Sequence, residues 1–91
     1  MAVTVRIPTT LRLLSGGAST VQVEGATLSE VITNLEAAHP GLQDRLLDET
    51  GALRKFVNLF VADDDVRYLD GLNTATPAGA TISIIPAVAG G

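Results

Sequence analysis

The spacing of hydrophobic positions along this chain changes several times, and each change marks an element. From Ala2 to Ile7 apolar and polar residues alternate. Val3, Val5 and Ile7 fall on one side, Thr4 and Arg6 on the other, and Pro8 ends the run. Ser19–Glu24 alternates again with Val21 and Val23 together, and Gly16–Gly17 between the runs reads as a turn. Two strands joined as a hairpin with a long loop are predicted. The period then becomes helical: Leu28, Val31, Ile32 and Leu35 share one face. Thr27, three residues before Glu30, forms a capping box, in which the Thr hydroxyl takes an N–H near Glu30 and the carboxylate reaches back. His39–Pro40–Gly41 stops this helix, since Pro cannot continue it and Gly suits the exit. Leu42, Leu46 and Leu47 predict a further helical turn.

Period two returns in "KFVNLFVA", a central strand with Val57, Leu59 and Val61 inward and Phe56, Asn58 and Phe60 outward. An amide in mid-strand marks its own side as the wetter one. "ADDD" predicts a turn, "VRYL" a short strand and "DGLNTATPAG" a loop. The last run, "ATISIIP", puts Ile82 and Ile84 on one side and Ser83 and Ile85 on the other. The order β-β-α-β-β-β predicts an α+β domain over residues 1–86. A helix crosses one face of a mixed sheet and buries Val3, Val5, Val21, Val23, Leu59, Val61, Ile82 and Ile84. That is the β-grasp arrangement. Residues 87–91, "AVAGG", carry little to pack with, and the two glycines have a high entropic cost of ordering. A flexible tail suited to a narrow channel is expected.

Composition sharpens this picture. Aromatic residues are 3% of the chain against 46% hydrophobic, so the core must be aliphatic. A net charge of −4 argues against nucleic acid as a partner and makes a basic partner surface plausible. There is no cysteine, hence no disulfide, no thiolate metal site and no internal thiol to attack an activated carbonyl. The alternating start is unlike a signal peptide, and no apolar run reaches the ~20 residues of a membrane helix. A cytoplasmic protein without membrane partners is expected. His39 stands alone at a helix end, where it caps carbonyls or meets water. Gly16–Gly17 lacks the Lys of a phosphate loop, and Asp63–Asp65 is too short for a calcium loop. No metal site and no catalytic set is expected.

With these stretches in view, "VRIPTTLRLLSGG", "FVNLFVADDDVRYLDGLNT" and "IIPAVAGG", the whole chain resembles the ubiquitin-like sulfur-carrier family (MoaD/ThiS-like). It is most similar to the cysteine-synthesis branch, the CysO-type carriers of actinobacteria. The resemblance implies that Gly91 carries the carboxylate that is activated, with Gly90, Ala89 and Val88 in a partner's channel. It implies an E1-like adenylating and sulfurtransferase enzyme that uses ATP, a PLP-dependent cysteine synthase acting on O-phosphoserine, and a metal-dependent peptidase that releases cysteine. ATP and PLP belong to those partners, and the carrier itself is a cosubstrate that binds no cofactor. The chemistry suits the tail. An α-carboxylate with a pKa of about 3.3–3.7 is ionised and unreactive at neutral pH until adenylation supplies a leaving group. Glycine leaves the acyl carbon open, and a thiocarboxylate sulfur is a ready nucleophile. Phe60, Ile85, Arg6, Asn58 and Phe56, on the outward face of neighbouring strands, are the expected docking surface. Three other readings stand beside this one: a ubiquitin-like modifier, the small subunit of a molybdopterin synthase, and a plain β-grasp interaction module.

Overall fold

The alternating runs pair so that their apolar sides coincide. In the computed structural model, which describes residues 2–86, β1 (Ala2–Arg6) lies antiparallel to β2 (Thr20–Glu24). Val3 stands opposite Val23 and Val5 opposite Val21. With β3 (Val57–Val61), β4 (Asp64–Asp65) and β5 (Thr81–Pro86) they form a sheet of order β2-β1-β5-β3-β4. The β1–β5 pair at the centre is parallel, and the other pairs are antiparallel. A parallel pair cannot be closed by a tight turn. The chain between includes α1 (Leu28–Ala38), whose buried Leu28, Val31, Ile32 and Leu35 pack into one cluster with Val3, Val5, Leu59, Ile82 and Ile84. This is the β-grasp fold. Among the described residues no helix is long and apolar enough to cross a membrane.

Local chemistry fixes the ends of these elements. Thr27 Oγ1 accepts the Glu30 N–H at 3.4 Å, and the return contact of the capping box goes to that hydroxyl, 3.4 Å from Glu30 Oε2. At the other end of α1 the Glu36 carboxylate accepts the N–H groups of Gly41 and Gln43 at 2.9–3.1 Å. These are donors that the start of α2 (Leu42–Leu46) would otherwise leave without an intrahelical partner. Gly25, between β2 and α1, has φ +159, and a Cβ there would stand 2.7 Å from Val31 Cγ2 and 2.8 Å from its backbone N. Only glycine lets the strand exit lie this close to the helix. The buried Thr76 hydroxyl then ties down the same point, donating to the Gly25 carbonyl at 2.9 Å.

Several expectations are corrected. Val21 is half-buried rather than core, because β2 is an edge strand with a neighbour on one side only. Phe56 precedes β3 instead of belonging to it and is 54% exposed. The aspartates expected as a turn supply β4, with Asp64 opposite Val61 and Asp65 opposite Phe60. The turn itself is tighter and includes Ala62 at φ 57. "VRYL" is not a strand: Val66–Tyr68 is a short 3-10 helix. Asp65 Oδ1 accepts the Arg67 N–H at 2.9 Å, which bends the chain, and the bend drives Val66 fully into the core. The loop that follows contains a second 3-10 turn, Gly71–Asn73, and the long β1–β2 loop contains one at Thr9–Leu11.

Candidate functional site

Val88, Ala89, Gly90 and Gly91, together with the rest of the expected tail, lie outside the described residues. What the structure describes is the ground from which the chain reaches them. β5 ends at Pro86, opposite Val57 of β3, so the exit lies at one end of the central strands. The outward residues fall into two rows across the sheet. Arg6, Ser83 and Phe60 are successive partners on β1, β5 and β3, and Ile85 and Asn58 form the next row toward Pro86. With strands about 4.8 Å apart, Arg6 and Phe60 stand about 10 Å from each other at the backbone, with β5 between them.

Phe60 and Ile85 share a shallow hollow of about 230 Å³ with Ser83, Ala62 and Asp63. Ile85, at 49% exposure, and Ser83 also wall a second groove of about 430 Å³ on the other side of β5. That groove is lined further by Arg6, Arg12, Pro8, Ser19 and Thr20. Ile85 is thus an apolar ridge between a mixed hollow and a polar, cationic groove. Asn58 is held from the side: Arg67 Nη1 donates to its Oδ1 at 2.6 Å, and Arg67 Nη2 donates to the Arg54 carbonyl at 2.7 Å. Arg6, Asn58, Phe60 and Ile85 are therefore brought together on the outer face, while Phe56 stands outside the paired strands. Sequence reasoning missed Arg12 and Arg67. Arg12 lies in a loop without a period and is placed by the bond from its Nε to the Ile7 carbonyl at 3.2 Å. Arg67 falls in "VRYL", where the expected strand is replaced by a 3-10 helix.

His39 caps α1 through its backbone, donating to the Leu35 carbonyl at 2.7 Å. Among the described residues no three His, Cys, Asp or Glu side chains are grouped to hold a metal ion.

Comparison with known proteins gives the family. The chain is 50% identical to the sulfur carrier protein CysO of Mycobacterium tuberculosis, with all of both chains covered. It is 38% identical over 68 residues to small archaeal modifier protein 3 of Haloferax volcanii, covering 75% of this chain and 73% of that one. Its fold matches the CysO chain in the BexX/CysO complex of Amycolatopsis orientalis with a TM-score of 0.92, at 46% identity and covering 98% of this chain and 99% of that one. The family model for ThiS matches residues 5–91, nearly the whole chain up to its last residue: the chain belongs to the ThiS family.

Proposed function

We propose that this chain is a sulfur carrier that serves cysteine synthesis, and that Gly91 is its reacting residue. The carrying observation is the full-length 50% identity to a protein named as a sulfur carrier, together with a family match that runs to residue 91. The Gly91 carboxylate attacks the α-phosphorus of ATP on an E1-like enzyme, and pyrophosphate leaves. A sulfur nucleophile then adds to the acyl carbon and expels AMP, leaving a thiocarboxylate. On a PLP-dependent synthase charged with O-phosphoserine, phosphate is lost and the thiocarboxylate sulfur attacks the β-carbon of the resulting aminoacrylate. The thioester passes to the cysteine amine, and a metal-dependent peptidase hydrolyses the amide to free cysteine and restore the tail. Every catalytic group belongs to a partner, and this chain contributes an acyl carbon free of any side chain. In this reading Gly90, Ala89 and Val88 occupy the partner's channel while Phe60, Ile85, Arg6 and Asn58 dock outside it. Phe56 stands apart from that group. The setting is the cytoplasm.

Deletion of Gly90 and Gly91 tests the reading. The shortened chain should melt as the full chain does, yet support no ATP-dependent mass increase equal to one oxygen exchanged for one sulfur. Adenylation of the shortened chain at the normal rate would exclude the carrier role. The likeness to a small archaeal modifier protein motivates one second reading, in which the tail is joined to lysines of other proteins. It replaces the first if the tail is recovered on protein lysines and on no small molecule.

A further inference from the structure

The net charge of −4 conceals a separation of charge along the strands. All six Lys and Arg side chains belong to segments at the end of the molecule where β5 finishes. Arg6 closes β1, which runs parallel to β5. Arg12 is anchored to the Ile7 carbonyl and lines the groove beside Ile84 and Ile85. Arg54 and Lys55 immediately precede β3, whose first residue faces Pro86. Arg67 reaches back to the Arg54 carbonyl. Arg45 shares a hollow with Arg54, whose Nε donates to the Asp44 carbonyl at 2.8 Å. Glu24, Glu30, Asp63 and Asp64 lie at the other end. Glu24 pairs with the first residue of β1, Glu30 sits in the first turn of α1 beside the 74–76 segment, and the aspartates follow the end of β3. The basic half also holds carboxylates: Glu36 is engaged by Gly41 and Gln43, Asp48 by Thr50 and Ala52, Glu49 follows Asp48, and Asp44 lines the hollow of Arg45 and Arg54, so the uncompensated cations are Arg6, Arg12, Lys55 and Arg67 around the end of β5.

We propose that this basic end docks on an acidic protein rim around the entrance that receives the tail. Cations on both sides of Pro86 orient the chain as it approaches, so the end where β5 finishes arrives first. The inference rests on the carrier reading and adds the sign of the partner's surface, which is opposite to the one that net charge alone suggests. A local rim of carboxylates suits these separate cations better than an extended polyanion. Beyond about 8 Å at physiological salt the single cations are screened, and at longer range the overall negative charge repels a large anionic surface. The apolar Ile85 ridge beside Arg6 also calls for a protein surface with apolar area of its own.

The test uses Amycolatopsis orientalis BexX, the protein found in complex with a relative of this chain. Association rates are measured for the full chain, for Arg6→Glu with Lys55→Glu, and for Asp64→Lys at the other end, across a salt series. The double reversal should slow association about tenfold at about 20 mM salt, and the difference should shrink to within about twofold at about 500 mM. Asp64→Lys should leave the rate unchanged or raise it slightly. Equal rates for all three chains, or the larger loss from Asp64→Lys, would overturn the proposal. The carrier reading is measured separately, by mass. A chain that gains sulfur yet associates without regard to Arg6 and Lys55 removes this inference alone. A chain that never gains sulfur but keeps the charge-sensitive association removes the carrier reading alone.

Discussion

On the inner side of β3, Leu59 is 1% exposed among aliphatic side chains from both the sheet and α1. One residue later, on the outer side, Phe60 is only half-buried and shares a shallow hollow with the exposed Ile85. The same strand therefore meets two demands. Its inner side chains are fixed by close packing, where each buried aliphatic group stabilises by about 1.5–3 kcal/mol. Its outer side chains do little for the fold, and Phe60 with Ile85 leaves apolar surface there that a docking partner could cover. The difference teaches that stability rests on the inner face; with docking proposed for the outer one, mutations on either face should leave the other property intact.

The strongest way to break that division is to cut into both sides at neighbouring positions. Leu59→Ala should lower the unfolding free energy by about 2–5 kcal/mol, because the packed cluster cannot collapse into the space left behind. Phe60→Ala, read in the same urea titration, should stay within about 1 kcal/mol of the parent, near the ordinary range for exposed substitutions. A loss at Phe60 that matches the loss at Leu59 would mean the outer face is core.

Partner binding gives the converse measurement. Phe60→Ala should weaken binding to a partner enzyme of the proposed carrier by about 1–4 kcal/mol if Phe60 is a contact anchor, measured by calorimetry. Unchanged affinity would leave Ile85 and Arg6 without the neighbour assigned to them. Gly25→Ala probes the seam where the strand exit meets the helix. The added methyl runs into the Val31 backbone, so a loss of about 1–3 kcal/mol is expected in thermal melts, with no change in binding to that partner.

The smallest effect is electrostatic and lies far from either face. The Asp48 carboxyl is held below its ordinary 3.8, first by the Thr50 hydroxyl and then by the Thr50 N–H, with Ala52 and Arg54 adding to it. A carboxyl with a depressed folded pKa stabilises the fold above its unfolded pKa, and the contribution disappears as pH falls through the folded value. Asp48→Asn should therefore differ most from the parent near neutral pH. The gap should close on acidification below 3.8, followed by far-UV circular dichroism. A gap that widens in acid would show that Asp48 acts by some other means.

Much of this was legible in the residues. The alternation in β1, β2, β3 and β5 fixed which side chains turn inward, because a strand has a period of two whatever surrounds it. Thr27 and Glu30 marked the start of α1, because a cap needs only local atoms. Misreadings came where distant contacts outweigh local preference. Val66 looks like part of a strand until its burial under a bend set by Asp65 is known. Asp64 and Asp65 have poor strand propensity but pair with Val61 and Phe60 at a sheet edge, where charged residues are well tolerated and discourage further pairing.

The sequence by itself determined the inward and outward sides of the strands, the helix and its cap, the absence of cysteine, and the two glycines at the end of the chain. Only the tertiary structure decided that β1 and β5 run side by side, and with them where the charges stand. Arg6, Arg12, Arg54 and Lys55 are up to 49 residues apart in the chain, and nothing in their spacing relates them. They share one end of the molecule because parallel pairing of β1 with β5 sets Arg6 opposite Ser83, while antiparallel pairing of β3 with β5 sets Val57 opposite Pro86. Net charge is a sum that sequence supplies in full. The direction of the field is set by strand order, which depends on contacts between residues far apart in the chain.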